Sequence, residues 1–244
     1  YLEYFALVNF CQKENLERLG KKQEIEVFPL EMTRKITPFK DIFAVIKLYF
    51  FLKKTRPFIV HSHTPKAGIV GMLAAKLAGV PHRLHTVAGL PLLEVTGIKR
   101  RVLDAVEKFT YGCATMVYPN SFGLKKIILD NNYCDSKKLK VLANGSSNGI
   151  DTAYFNPELY TEEQNLRLEN ELGIQTDDFV FIFVGRLVKD KGINEMVSAF
   201  ELLQKENTKV KLLLVGDYEN DLDPLNPKTV ESINSNASIL AEGF

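Results

Sequence analysis

The stretch FIFVGRLVKDKGI, residues 181–193, has the pattern of a strand that runs through a glycine-bracketed loop into a helix. All six residues from Phe179 to Val184 are aromatic or β-branched, which predicts a buried, central strand of a parallel sheet. Gly185 ends the strand, and apolar residues at helical spacing start at Ile193. Strand-like and helical runs alternate in this way along the whole chain. The sequence therefore predicts an α/β fold in which helices cover parallel sheets.

Two basic residues, Arg186 and Lys191, lie in the loop between this strand and the helix, and Gly192 directly precedes the helix. A helix start offers unpaired N–H groups and the positive end of the helix dipole, so two cations beside it suit a diphosphate. The same side chains could equally be ordinary solvated charges of a surface loop. Spacing alone leaves both interpretations open.

The composition is typical of a globular protein with one or two domains. The chain has 244 residues, of which 45% are hydrophobic and 25% are charged. Its formal net charge is +1, which gives no support for nucleic-acid binding. The charge is uneven, however, because the segment between Asp41 and Glu94 contains no acidic residue and seven basic ones. We expect that segment to face something anionic.

The cysteines and the apolar runs bear on the cellular compartment. Cys11, Cys113 and Cys134 are odd in number and form no CxxC pair, which is typical of a reducing compartment. Lys47 and Lys76 interrupt the longest apolar runs, so neither run reaches the roughly 20 residues of a membrane span. We therefore expect a cytoplasmic protein.

The strand-like runs fall into two series. A turn-rich stretch at residues 144–149 closes the first series, and a charged helical run from about Thr161 opens the second. We therefore predict two Rossmann-like, doubly wound domains, at residues 1–155 and 156–244, of which the second is incomplete. Thr37 and Thr64 each precede a proline and are predicted N-caps of helices. The predicted strands are residues 4–8, 24–29, 58–63, 82–87, 116–119, 140–143, 179–184 and 210–215, and a further one begins near residue 238.

All four histidines lie between residues 61 and 85. The spacing of His61 and His63 puts both on one face of a strand, where they could be metal ligands. No carboxylate or cysteine lies nearby in sequence, so we expect no metal site. His63, Thr64 and Lys66 follow the predicted strand at its carboxyl end, where doubly wound folds bind their ligands.

Four segments occur in an order that resembles one enzyme family. They are HSHTPKAG at 61–68, HTVAGLP at 85–91, NGID at 148–151 and GRLVKDKGI at 185–193. Together they are similar to segments of the retaining glycosyltransferases of family 4, which have the GT-B fold, and in particular to members that build capsules and other surface polysaccharides. The resemblance implies a GT-B-like arrangement of two Rossmann-like domains.

The resemblance also implies an activity of the retaining hexosyltransferase type. A sugar would pass from a nucleotide-sugar donor, UDP-linked, to a glycan or lipid-linked acceptor, without a metal or another cofactor. Arg186 and Lys191 would be catalytic by holding the diphosphate. The other implied positions are donor-binding Gly185, Gly192 and Gly216, acceptor-side His63, Thr64, Lys66, His85 and Gly89, and interdomain Asn148, Gly149 and Asp151.

The chain departs from the family pattern in two ways. Ala88 stands where many members have a histidine before the glycine. Against the family the chain also looks cut at both ends, without the glycine-rich first loop and the Glu-x7-Glu carboxylate pair, so we expect it to be inactive or nearly so by itself. Two alternatives therefore stay open, a sugar-nucleotide isomerase of GT-B type and a non-catalytic homologue that serves as a binding module.

One further hypothesis concerns the predicted helix between Phe39 and Arg56. It carries several aromatic residues and basic residues near its end, and it lies in the acid-free part of the chain. Its default role is to cover a sheet. The charge pattern also permits contact with a membrane surface.

Overall fold

The computed structural model describes residues 5–6, 13–30, 32, 37–146, 149–220 and 223–243. The chain divides into two compact units, Tyr1–Ile150 and Asp151–Phe244. The boundary predicted from the sequence, after residue 155, lies a few residues further along. None of the described helices combines the length and the apolar character that crossing a bilayer requires.

The first unit contains a parallel sheet with the strand order β3-β4-β5. Its strands are β3 (Ile59–Ser62), β4 (His82–Val87) and β5 (Met116–Pro119), and a separate parallel pair is formed by β1 (Phe5–Ala6) and β2 (Glu26–Val27). The helices are α1 (Lys13–Gln23), α2 (Pro38–Thr55), α3 (Pro65–Ala78), α4 (Gly97–Cys113) and α5 (Phe122–Asp130). Parallel pairing brings the carboxyl ends of β3 and β4 to one edge of the sheet.

Helix α3 packs against α2 through small residues. Ala74 and Ala75 are fully buried, and they share a core cluster with Leu48 and Leu52 of α2. Thr64 accepts a hydrogen bond from the Ala67 N–H at 3.4 Å, which confirms it as the N-cap of α3. Small side chains let the two helix backbones approach closely, so α3 is fixed over the sheet.

The second unit contains the parallel sheet β6-β7-β8. Its strands are β6 (Phe179–Val184), β7 (Val210–Val215) and β8 (Ile239–Glu242), and its helices are α6 (Glu162–Glu171), α7 (Ile193–Glu206) and α8 (Pro227–Ser235). The core lies between one face of the sheet and helices α7 and α8, and it includes Leu212, Leu214, Val197, Phe200 and Ile233.

Two local predictions are wrong, and a third holds only in part. β6 lies at the edge of the described sheet rather than at its centre, and Ile182 and Val184 are exposed. Continuous apolar runs form both β6 and β7, so such a run does not distinguish an edge strand from a central one. Residues 140–143 do not form a strand: Leu139 makes an isolated parallel bridge to Val117, and a turn follows, closed by the hydrogen bond from the Gly145 N–H to the Leu142 carbonyl. Thr37 is the N-cap residue of α2, as predicted, but its hydroxyl donates to the Asp41 carboxylate and gives the helix no side-chain cap bond.

Candidate functional site

The loop after β6 brings Arg186 and Lys191 to the carboxyl-terminal edge of the second sheet. Arg186 directly follows Gly185, and Lys191 ends a 3-10 turn that leads through Gly192 into α7. Both cationic side chains are exposed. The strand end and the helix start therefore present two cations at the place where parallel α/β sheets bind anionic ligands.

Three glycines give this edge its backbone shape. Gly185 and Gly216 follow β6 and β7 with φ of +152° and +143°, and Gly192 enters α7 with φ of +73°. Side-chain-bearing residues rarely adopt these conformations. The Gly185 N–H donates to the Val215 carbonyl at 2.9 Å, and the Gly216 N–H donates to the Glu242 carbonyl at 2.8 Å. The three glycines predicted for the donor side thus shape adjacent strand ends and the start of α7.

Arg186 forms an ion pair with Glu219, which lies in the loop after β7. The Glu219 side chain is 19% exposed and the Arg186 side chain is 51% exposed, so the carboxylate is the more enclosed partner. A guanidinium carries five N–H donors, and one carboxylate does not exhaust them. The pair therefore orients the guanidinium at the strand edge while leaving it capacity to bind a phosphate.

Two hydrogen bonds join the loops after β6 and β7. The Leu187 N–H donates to the Asp217 carbonyl at 2.9 Å. The Asp190 N–H donates to the Asp223 carboxylate at 2.7 Å. These contacts fix the loop backbone between Arg186 and Lys191, so the positions from which the two side chains project are defined before any ligand arrives.

In the first unit, His61 and His63 lie on the sheet face that is turned away from α3. Their rings are 4.2 Å apart, and His61 Nε2 lies 2.8 Å from the Thr86 hydroxyl oxygen. Burial, and secondarily the proximity of His63, lowers the pKa of His61 to about 4. The imidazole is therefore neutral at physiological pH and interacts through hydrogen bonds rather than charge.

His85 lies on the opposite face of the sheet, beneath the first turn of α3. It is 2% exposed, and its Nδ1 lies 2.8 Å from the Ser62 hydroxyl oxygen. Burial is the main cause that lowers its pKa to about 4, and His61 and His63 add to the shift. A methyl group on Gly68 would lie only 2.5 Å from the His85 ring, so the glycine is what lets α3 sit on the imidazole. His85 therefore supports the first turn of α3 from below, and its enclosed ring presents no surface to an acceptor.

Lys66 connects the starts of α2 and α3. Its ammonium lies 2.8 Å from the Asp41 carboxylate and donates to the Thr37 hydroxyl at 3.2 Å. The Lys66 side chain is 14% exposed. It follows that Lys66 acts as a structural tie, whereas His63 and Thr64 beside it are exposed at the strand end.

The segment after β4 forms an exposed loop at Ala88 and Gly89. The Asn120 side-chain amide donates to the Ala88 carbonyl at 3.1 Å and so ties this loop to the end of β5. Arg100 donates to the Leu92 carbonyl at 2.9 Å and fixes the following 3-10 turn, Pro91–Glu94. Ala88 offers only a methyl group and the backbone where a histidine is common in the resembling family.

The predicted interdomain residues are only partly described. Asn148 lies outside the described residues. Gly149 is exposed, and the Asp151 carboxylate accepts hydrogen bonds from the Ala153 and Tyr154 N–H groups at 3.0 and 3.1 Å. Asp151 thus closes a local turn at the start of the second unit.

Sequence reasoning missed several polar partners. Glu219 and Asp41 pair with the cations discussed above, and Glu107 is a buried carboxyl of α4. Burial raises the pKa of Glu107, and the adjacent Tyr111 offsets the shift only in part. No spacing signal marks such partners. Among the residues that the structure describes, no group of three or more His, Cys, Asp or Glu side chains could hold a metal ion.

Two segments of the chain match known family models. Residues 11–145 match the glycosyl transferase 4-like domain, and this segment is more than half of the chain. Residues 165–235 match glycosyl transferases group 1. The two matches fall on the two compact units in turn.

Two curated proteins are similar over most of this chain. It is 39% identical over 193 residues to the capsular polysaccharide biosynthesis glycosyltransferase CapM of Staphylococcus aureus. The aligned segment covers 79% of this chain and 49% of that protein. It is 34% identical over 199 residues to the Escherichia coli UDP-Gal:alpha-D-GlcNAc-diphosphoundecaprenol alpha-1,3-galactosyltransferase. Here the aligned segment covers 78% of this chain and 49% of that protein. The chain therefore spans about half the length of the curated relatives it matches.

A solved structure shows the same fold. Anabaena Alr3699/HepE in complex with UDP and glucose matches with a TM-score of 0.67 at 18% identity, over 98% of this chain and 61% of that one. At this identity the likeness concerns the fold. The predicted GT-B-like α/β class, with partial coverage of the complete fold, is confirmed.

Proposed function

The chain belongs to the glycosyl transferase 4-like family, and we propose that the whole protein transfers a hexose from a UDP-sugar to a glycan or lipid-linked acceptor, with retention at the anomeric carbon. The observation that carries this proposal is the loop from Gly185 to Gly192, which presents Arg186 and Lys191 at the strand edge before α7. Donor binding is assigned to residues present in this chain. Transfer is assigned to the whole protein, because its relatives are about twice as long.

The relatives support the donor and acceptor classes. One of them is named for UDP-galactose as donor and for a diphosphoundecaprenol-linked acceptor. Another is named for capsular polysaccharide biosynthesis, and the solved structure of similar fold contains UDP and glucose. We infer a UDP-hexose donor and an acceptor that belongs to a surface polysaccharide.

Arg186 and Lys191 supply the chemistry that such a transfer needs. When the bond between the anomeric carbon and the diphosphate breaks, negative charge grows on the departing phosphate oxygen. The two cations and the start of α7 would stabilise that charge more in the transition state than in the bound substrate, which is what accelerates a reaction. Because these groups bring positive charge of their own, the proposal invokes no metal ion.

The first unit would contribute the acceptor side. His63 and Thr64 are exposed at the carboxyl end of β3, and Gly89 lies in the loop after β4. His85 and Lys66 act as supports of that edge through the contacts with Ser62 and Asp41. We place the reaction in the cytoplasm, since Cys113 and Cys134 are free thiols, which is typical of a reducing compartment.

Product analysis tests this proposal. The whole protein is incubated with a radiolabelled UDP-hexose and a lipid-diphosphate acceptor, and the anomeric configuration of the product is read by NMR. We expect a lipid-linked product with the donor's configuration. A new sugar nucleotide formed without acceptor would instead identify an isomerase, and binding of UDP without any turnover would identify a non-catalytic homologue.

A further inference from the structure

Helix α2 carries an exposed apolar face on the side opposite its core contacts. Phe39, Ile42, Phe43, Ile46 and Phe50, here called the α2 apolar face, are 91%, 59%, 69%, 47% and 65% exposed. At 100° per residue these side chains fall within an arc of about 100°. A contiguous apolar arc of this kind on a helix that already has its core contacts marks a site of interaction.

The other side of α2 already satisfies the packing needs of the helix. Ala44, Leu48 and Leu52 are 2%, 1% and 4% exposed and belong to the core cluster shared with α3. The α2 apolar face is thus additional to the apolar surface that holds the helix to its unit. Its exposure has no role in the fold of the described residues.

The charges around this face are basic. Lys40, Lys53 and Lys54 are exposed on α2, and Arg56 follows at its end. The acidic residue of the helix, Asp41, is paired with Lys66 at 2.8 Å. No further acidic residue occurs before Glu94. An apolar arc with a basic fringe fits a surface that is apolar within and anionic at its border.

We propose that the α2 apolar face binds the surface of an anionic lipid bilayer, with the phenylalanine and isoleucine side chains inserted and the lysines at the headgroups. Long basic side chains suit this position, because their stems cover apolar surface while the charges stay in water. A second copy of the chain is a poorer occupant. A twofold contact would bring the basic fringe of one copy against that of the other.

The position of the face fits the proposed function, on which this inference partly rests. Thr37 and Asp41, at the start of α2, contact Lys66, which lies next to the exposed His63 and Thr64. Binding of α2 to a bilayer would therefore place the edge proposed for the acceptor close to the headgroups. A lipid-linked acceptor would be presented there without leaving the membrane.

Vesicle flotation of the native chain tests the proposal. We expect the chain to float with vesicles that contain phosphatidylglycerol and to bind vesicles of phosphatidylcholine alone at least tenfold more weakly, since each lysine near an anionic surface contributes roughly fivefold. The double variant Phe43→Ser/Phe50→Ser should lose roughly tenfold or more in vesicle binding. The variant Lys53→Gln/Lys54→Gln should weaken binding to anionic vesicles in particular.

Matched controls distinguish binding through this face from non-specific binding of exposed apolar side chains to vesicles. Leu166 and Leu168 of α6 are 50% and 55% exposed, and their helix is rich in glutamate, so Leu166→Ser/Leu168→Ser should leave flotation unchanged. Circular dichroism confirms that each variant is folded. Equal absence of binding to both vesicle types, or an equal loss in the α6 control, would overturn the proposal. Ultracentrifugation would also overturn it if the native chain were a dimer and the Phe43→Ser/Phe50→Ser variant were a monomer that still floated with the vesicles.

UDP titration of the same samples keeps the two proposals apart. Phe43 and Phe50 lie outside the donor loop, so UDP binding should survive their replacement. A chain that binds UDP and no vesicles contradicts only the bilayer surface. A chain that binds vesicles and no UDP contradicts only the donor site.

Discussion

Replacement of Gly68 by alanine tests how the first turn of α3 is held over the sheet. A methyl group at this position would lie 2.5 Å from His85 Cε1, 3.1 Å from Nδ1 and 3.2 Å from Nε2. The ring is enclosed, is hydrogen-bonded to Ser62 and lies against Tyr111 with 5.7 Å between ring centroids. It therefore has little freedom to move aside, and α3 must shift instead.

Gly71 supplies the matched control on the same helix. A methyl group there would meet only the Ser62 Cβ, at the ordinary contact distance of 3.7 Å. Both substitutions gain the helix propensity of alanine, about 1 kcal/mol. Overpacking in a filled interior costs about 1–3 kcal/mol, and that term applies to Gly68→Ala alone. The difference between the two variants therefore measures the contact with His85.

Hydrogen–deuterium exchange of peptides from α3 is the suitable assay, because it reports local opening and does not require the two units to unfold together. We expect Gly68→Ala to exchange roughly fivefold to a hundredfold faster than Gly71→Ala, since 1.4 kcal/mol corresponds to tenfold. The excess should shrink when His85 is also replaced by alanine. Equal exchange in the two glycine variants would refute the role assigned to His85.

Three further predictions concern the first unit. Burial raises the pKa of Glu107 above its unfolded value, so the contribution of this residue to the free energy of unfolding is lost as the pH rises through the folded pKa. Glu107→Gln should therefore increase the free energy of unfolding at pH 8 and have no such effect near pH 4, as measured by urea titration. The pKa of His85 is lowered to about 4, so the contribution of this residue to the free energy of unfolding is present above the unfolded pKa and is lost as the pH falls from about 6.5 to 4. Urea titrations over this range should show that the free energy of unfolding declines, and that the decline is smaller in His85→Asn. Lys66→Ala should lower the free energy of unfolding by about 1–2 kcal/mol through the lost contacts to Asp41 and Thr37, with UDP binding unchanged in calorimetry.

The strands could be predicted from the sequence because their signals are local. The bounds 82–87, 116–119, 179–184 and 210–215 agree with β4, β5, β6 and β7. The run 179–184 consists only of β-branched and aromatic residues, and the run 210–215 is apolar apart from Lys211, so neighbouring side chains already favour the extended conformation. The order of the motifs likewise sufficed to predict the fold class.

The partners of the site residues could not be predicted in this way. Arg186 and Glu219 are 33 residues apart, and Lys66 and Thr37 are 29 residues apart, so the folded chain alone brings them together. His85 illustrates a second limit. The family resemblance implied an acceptor-side role for it, but alternation along β4 turns its side chain to the α3 face. Spacing predicts the face of a strand and not which face is covered.

Calorimetric titration with UDP is the most direct test of the donor site. The native chain should bind UDP, and Arg186→Ala should bind at least roughly tenfold more weakly, because a charged hydrogen bond to phosphate contributes about 1.5–3 kcal/mol. Lys209→Ala is the matched control, since Lys209 is an exposed cation of the same unit that pairs with Asp177 at 2.8 Å. It should bind UDP as the native chain does. Unchanged UDP affinity in Arg186→Ala, or equal losses in both variants, would contradict the assignment of the Gly185–Gly192 loop as the diphosphate site.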